Sequence, residues 1–168
     1  MTWIPQKQIS VETRFGSMIA DHFIMTFVMM IFCIPLIISD TSDPGKDAYN
    51  DPFIRYLSFI GFALYFCKDC INGQSVAKRY FKLQVVNNKT GIAAAPWQCL
   101  VRNFFCVMWP IEVLVAFKNP NRRIGDRVAG TKLVFFDPEI KSSDINFFQL
   151  AICFVLSYGL LTLISLSI

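Results

Sequence analysis

The chain contains 168 residues with a formal net charge of +4; 54% of the residues are hydrophobic and only 17% are charged. A soluble domain of this length carries about 25% charged residues, so the composition predicts one domain with much of its apolar surface in a lipid bilayer. The basic residues flank apolar runs instead of forming a separate basic domain, which argues against nucleic acid as a partner.

The first long apolar run, from Phe15 to Ile38, predicts a membrane-spanning helix, because roughly 20 apolar residues cross the hydrocarbon core. The run is too long for the apolar core of a signal peptide, so we expect an uncleaved anchor. Arg14 directly precedes this run and Asp21 lies inside it. The two residues are about 10 Å apart along one helix face, which is too far for a direct ion pair. An ionised Asp at this depth costs roughly 2.5–3.5 kcal/mol, which predicts a partner from another segment.

The next segments alternate between polar loops and apolar runs. Residues 39–52 contain four Asp and one Lys and read as an acidic, turn-rich loop. The run from Phe53 to Ile71 predicts a second spanning helix. Ser75 to Lys82 predicts a short interfacial helix, and Leu83 to Val86 predicts a strand.

Residues 97–117 are apolar overall, but their longest uncharged stretch, Phe104 to Ile111, is too short to cross a bilayer. This pattern predicts a broken, re-entrant or interfacial segment. Thr131 to Phe136 predicts a strand that pairs with Leu83 to Val86, and residues 147–168 predict a final spanning helix.

The distribution of Lys and Arg predicts the orientation, because cytoplasmic loops carry the excess of basic residues. The acidic loop is then outside, while the N-terminus and the basic loops 72–96 and 118–146 are cytoplasmic. The fold class predicted is an all-α integral membrane protein with three transmembrane helices, a broken re-entrant or interfacial segment, and a small cytoplasmic β pairing. A four-span chain is the alternative.

Three charged motifs follow one another with characteristic spacing. They are Arg14-x6-Asp21, Gly73-Gln-Ser-x-Ala-Lys78-Arg79 and Arg123-Ile-Gly-Asp126-Arg-Val-Ala-Gly130-Thr131. Together with Arg102-Asn103 they resemble the RDD family of small, mostly bacterial membrane proteins, named for one Arg and two Asp. This chain has Ala77 where that family commonly has Gly.

The resemblance implies that Arg14, Asp21 and Asp126 are the naming residues. It also implies a location in a bacterial inner membrane, and it suggests cation/proton antiport, which has been proposed for some members. It covers roughly residues 10–137, so we predict an RDD-like membrane domain at 1–137, followed at 138–168 by a linker and an additional C-terminal transmembrane helix.

Charge compensation predicts a buried cluster in which Arg14 pairs with Asp126 and Arg102 pairs with Asp21. A carboxyl in such a site has a raised pKa and can carry a proton, but the same residues can equally form a structural ion-pair network. Glu112 is a further candidate carboxylate. It lies either at the tip of a membrane hairpin or, solvated, in the interface.

The basic residues of the two cytoplasmic loops are expected to contact anionic lipid headgroups, each worth on the order of 1 kcal/mol. The residues concerned are Lys78, Arg79, Lys82, Arg122 and Arg123. Neither Cys67-x-x-Cys70 nor His22 has the companions of a metal site. We therefore expect no metal, no cofactor and no enzymatic activity.

Two functions remain open at the level of sequence. One is cation- or proton-linked transport through the Arg/Asp cluster, in a homo-oligomer because three spans are few for a pathway within one subunit. The other is a non-transporting accessory or scaffold subunit of a larger membrane complex.

Overall fold

The computed structural model describes residues 8–42, 51–138 and 147–167. The expectations for most of the acidic loop and for the linker after residue 138 lie outside these ranges. Within them the chain forms seven α-helices and one two-stranded sheet. The elements are α1 (Val11–Ser42), α2 (Pro52–Phe66), α3 (Val76–Tyr80), β1 (Leu83–Asn87), α4 (Pro96–Phe104), α5 (Trp109–Lys118), α6 (Ile124–Val128), β2 (Thr131–Phe135) and α7 (Phe147–Leu166).

Three helical stretches are long and apolar enough to cross a membrane: α1, the stretch Pro96–Lys118 and α7. This confirms a mostly helical protein with membrane-spanning helices. The second helix was predicted too long, because α2 ends at Phe66 and has 15 residues. Turns follow it as far as Gly73, which has φ +66°, a left-handed conformation that ends helical geometry.

The predicted strand pairing is confirmed. β1 and β2 run antiparallel, with Leu83 opposite Phe135 and Asn87 opposite Thr131. Buried apolar side chains of both strands form a core with residues from three neighbouring segments. These are the segment before α1, the α4 region and α7. The members of this core include Ile9, Leu83, Val85, Ala94, Cys99 and Leu133, with Leu150 packed against them.

The stretch Pro96–Lys118 starts and ends at this same sheet. Just before it, the Ala94 amide donates to the Val85 carbonyl at 3.0 Å, and just after it the Asn121 carbonyl accepts from the Leu133 amide at 2.9 Å. Val85 and Leu133 are partners in the register. The path from Ala94 through Val85 and Leu133 to Asn121 crosses three spacings between neighbouring chain segments, about 15 Å in total. A straight helix of 23 residues would instead extend about 35 Å.

The stretch is accordingly broken. A 3-10 turn at Phe105–Met108 separates α4 from α5, and Pro110 follows it in the first turn of α5. Pro110 has no amide hydrogen to donate to a preceding carbonyl, so it favours a break at this point. The chain therefore leaves the sheet, turns and comes back to it.

Candidate functional site: a buried ion-pair network

Helix α1 presents two charged residues on its inner face. Arg14 and Asp21 are seven positions apart, close to two helical turns, and are buried together with Ser17 and Met18. Only 2% of Arg14 and 4% of Asp21 is exposed. Both of their partners come from other segments, as the spacing predicts.

Asp126 in α6 accepts from several donors. Its Oδ2 lies 3.1 Å from Nη2 of Arg14, and its Oδ1 lies 2.8 Å from Nε of Arg102. The Arg123 amide donates to Oδ2 at 3.2 Å, and the Thr131 hydroxyl donates to Oδ1 at 3.1 Å. The structure thus contains the predicted pair between Arg14 and Asp126.

A second carboxylate, Asp69, links two further cations. It belongs to the turn after α2, where Oδ2 lies 3.0 Å from Nη1 of Arg102 and Oδ1 lies 2.9 Å from Nζ of Lys78. Lys78 also forms an ion pair with Asp21. The expected ion pair between Arg102 and Asp21 is therefore wrong. Asp69 and Lys78 lie between these two residues, so that Arg102 pairs with Asp69 and Asp21 pairs with Lys78.

Glu112 of α5 closes the other end of the network. Its Oε2 lies 3.0 Å from Nε of Arg123, and its Oε1 accepts from the Gly125 amide at 2.7 Å. Glu112 is fully buried, so the solvated alternative is not what the structure shows. Arg123 also donates from Nη2 to the Asn103 side chain at 3.3 Å.

The charges of the network balance. Four cations alternate with four carboxylates, and each of the eight residues is at most 4% exposed. In order of contact they are Asp21, Lys78, Asp69, Arg102, Asp126 with Arg14, then Arg123 and Glu112. Removing one partner from a buried pair leaves an uncompensated charge, which costs about 3–5 kcal/mol.

Residues 10–163 match the sequence profile of the RDD family. The chain belongs to the RDD family. The three residues that the family resemblance identifies as naming residues, Arg14, Asp21 and Asp126, all lie in the network. No curated protein and no solved structure matches this RDD protein.

The family match extends past residue 137 and includes most of α7. This helix packs on α2 and α4. The division of the RDD protein into a membrane domain at 1–137 and an added C-terminal helix stays a prediction.

The network holds two carboxyls outside the long helices in their ionised form. Burial alone would raise the pKa of Asp69 and of Asp126. The neighbouring cations outweigh burial, Lys78 and Arg102 at Asp69, and Arg102 and Arg14 at Asp126, and the pKa of both carboxyls lies well below its usual range. Both groups are therefore ionised at neutral pH and are poor proton carriers.

Very little space remains beside the network. A cavity of about 10 Å³ lies next to Asp21 and Lys78, at the lower limit for holding one water molecule. Its wall includes His22, which stacks on Trp109 with ring centroids 5.6 Å apart and hydrogen-bonds to the Tyr65 hydroxyl at 3.1 Å. The only histidine of the sequence is thus packed against aromatic rings.

The basic residues expected at lipid headgroups divide into two sets. Arg79 and Lys82 are exposed and Arg122 is partly exposed. Lys78 and Arg123 are 3% and 4% exposed and bind carboxylates, so a headgroup contact is wrong for these two. They turn inward because Asp21, which forms its ion pair with Lys78, and Glu112, which forms its ion pair with Arg123, would otherwise be buried without compensation.

Sequence reasoning overlooked Asp69 and the inward role of Lys78. Asp69 lies inside Cys67-x-x-Cys70, a pattern that draws attention to its cysteines as metal ligands instead of to the carboxylate between them. The sequence does contain a signal for the role of Asp69. It is an acidic residue at the end of an apolar run, on the side of the membrane where basic residues are predicted to be in excess. All six cysteines are free thiols, and no three His, Cys, Asp or Glu side chains within the described ranges are grouped to hold a metal.

Proposed function

We propose that this RDD protein is a non-transporting accessory or scaffold subunit of a membrane complex, and that the ion-pair network locks its architecture. The proposal rests on the charge balance of the buried network. Its four positive and four negative side chains neutralise one another, and every one of them is buried. No charge within it is left over to bind a transported ion.

The space and the proton affinities support the same proposal. A transport pathway needs room for its cargo, whereas about 10 Å³ beside Asp21 holds at most one water. A proton-linked carrier needs a carboxyl whose pKa lies near the working pH. The low pKa of Asp69 and of Asp126 does not suit that task.

The proposed membrane architecture is three spans with one re-entrant or interfacial segment. β1 and β2 are hydrogen-bonded neighbours, so we expect both on one side of the bilayer, with the stretch Pro96–Lys118 between them leaving and returning on that side. α1 and α7 then form two spans, and α2 is the proposed third span, a short one whose 15 residues extend about 22 Å. The excess of basic residues favours a cytoplasmic sheet and N-terminus, in a bacterial inner membrane.

The proposed partners are lipid and protein. Large apolar side chains of α1 and α7 are exposed, among them Phe23 at 69%, Phe27 at 71% and Leu163 at 67%. Such faces contact acyl chains, a second copy or another subunit. Arg79, Lys82 and Arg122 are available to anionic headgroups, and the proposal includes neither an enzymatic activity nor a cofactor.

Two measurements test the accessory role. Reconstituted into proteoliposomes with an imposed pH or cation gradient, the protein is expected to produce no flux above that of empty liposomes. Isolated in a mild detergent from its native membrane, it is expected to co-purify with another protein at a fixed stoichiometry. Flux by the purified chain, or isolation of this chain alone, would contradict the proposal.

Cation- or proton-linked transport is the second candidate, and Asp21 favours it, because an ionisable side chain inside an apolar membrane helix often marks an ion or proton pathway. This function predicts flux from the purified chain and its loss in Asp21→Asn, in a variant that still inserts and folds. Asp40→Asn is the matched control, because Asp40 lies near the opposite end of α1 from the network. Flux that survives Asp21→Asn would eliminate a pathway through the network.

A further inference from the structure

A second and much larger cavity lies away from the network. It has a volume of about 620 Å³, is partly open, and lies between α1, the C-terminal end of α2 and the first half of α7. Its walls are almost entirely apolar, and they include Met25, Val28, Leu64, Leu150, Phe154 and Val155. From Phe147 to Val155 this groove follows α7 for about 12 Å.

One cation stands at the end of the groove nearest the ion network. Lys68 lines both the groove and the small polar cavity. Its Nζ lies 4.6 Å from the centroid of the Tyr65 ring. Among the described residues no carboxylate lies within ion-pairing distance of this ammonium group, in contrast to the four cations of the network. Lys68 therefore acts on the neighbouring Asp69 only through space and has no ion pair of its own among the described residues.

We propose that this groove is a binding site for one anionic glycerophospholipid, with an acyl chain along the apolar walls and the phosphate at Lys68. The position of Lys68 fits this ligand, because it follows directly after the apolar helix α2, where the headgroup region of a bilayer begins. The Tyr65 ring holds the ammonium in place. An apolar ligand without a negative charge would leave Lys68 without an ion pair.

The charge distinguishes this groove from a second one in the same protein. The second groove, of about 320 Å³, lies between α4 and α7 and has no charged residue in its wall, which includes Phe104, Leu156 and Leu160. Both grooves can accept acyl chains, but only the first offers a cation to a phosphate. Selectivity for an anionic lipid should therefore depend on the first groove alone.

The experiment measures lipid retained by the full-length protein in native mass spectrometry. The protein is extracted from vesicles of phosphatidylcholine alone or of phosphatidylcholine mixed with phosphatidylglycerol. Wild type is expected to retain one phosphatidylglycerol in preference to phosphatidylcholine. Lys68→Met should lower this preference about fivefold, the effect of one Lys at an anionic surface.

A groove-filling variant leaves Lys68 untouched and tests the acyl site. Ala151 lines the groove and is exposed, so Ala151→Phe should fill it without a core clash and abolish retention of the bound lipid. Leu160→Trp in the second groove and Lys89→Met in the β1 turn are matched controls that should keep the preference.

Any of four results would overturn the proposal. They are equal retention of the two lipids by wild type, an unchanged preference in Lys68→Met, unchanged retention in Ala151→Phe, or a second copy of the chain cross-linked into the groove. Because this test concerns the lipid alone, its outcome is independent of whether the protein transports an ion.

Discussion

At the scale of single residues, Asp69 is the carboxylate that connects two other segments of the network through ion pairs. It joins Lys78 of α3 to Arg102 of α4, and it is fully buried. Asp69→Asn removes the negative charge and leaves both cations undercompensated, so we expect a loss of about 3–5 kcal/mol of stability. Thermal unfolding in detergent measures this loss.

Glu12→Gln is the control for that substitution. Glu12 is exposed in the first turn of α1, where a carboxylate contributes about 0.3–1 kcal/mol through the helix dipole. An effect of Asp69→Asn no larger than that of Glu12→Gln would mean that the network does not stabilise the fold.

The depressed pKa values of Asp69 and Asp126 predict how stability depends on pH. The pKa of each carboxyl is lower in the folded than in the unfolded protein, so the unfolded state binds more protons as the pH falls. The stabilisation should be fully present above about pH 5 and decrease below about pH 4, the ordinary range of an Asp carboxyl. Denaturant unfolding across this range is the measurement.

The acid loss should be smaller in Asp69→Asn, which has one fewer titrating group. An equal slope in wild type and variant would show that other groups cause the acid sensitivity. A stability that increases on acidification would contradict the direction of both pKa shifts.

At the scale of elements, the contact between α6 and α4 requires a glycine. A Cβ added at Gly125 would lie 2.4 Å from the Arg102 carbonyl oxygen, which is backbone and cannot rotate away. Gly125→Ala should therefore separate the two helices, displace Asp126 from Arg102 and destabilise the protein by about 1–3 kcal/mol. Thermal unfolding again provides the readout.

Gly159 in α7 is the matched glycine, because nothing lies within 4 Å of an added Cβ. Gly159→Ala should be neutral or stabilising by up to about 1 kcal/mol, as expected for Ala in a helix. Similar effects of the two substitutions would contradict the close approach of α6 to α4.

At the scale of the whole molecule, the sheet predicts which loops share one side of the membrane. Lys89 precedes the stretch Pro96–Lys118 and Arg127 follows it, and both side chains are exposed. Lys89→Cys and Arg127→Cys should react with a membrane-impermeant maleimide from the same side, the cytoplasmic one. Wild type is the control, because its six thiols are all buried or partly buried.

Labelling of the two positions from opposite sides would mean that Pro96–Lys118 crosses the bilayer. Labelling of both from the outside would leave the re-entrant path intact and reverse the orientation. The experiment thus separates the path of the chain from its direction across the membrane.

The membrane class, the strand pairing and most of the buried charges could be predicted from the amino-acid sequence. Long apolar runs have few alternatives to helices in lipid, and short runs of apolar and β-branched residues bounded by turn residues favour strands, so the local pattern predicts both kinds of element. The family resemblance and the cost of burying charge identified Arg14, Asp21, Arg102 and Asp126 as one cluster. These conclusions need no knowledge of which side chain faces which.

The ion-pair partners within that cluster could not be predicted from the sequence. Asp21 pairs with Lys78 instead of Arg102, Asp69 enters the network, and Arg123 turns inward. The physical reason is that charge balance constrains the number of buried cations and anions but not their pairing. Pairing depends on positions that the turn after α2 and the packing of α6 on α4 set to within a few ångströms.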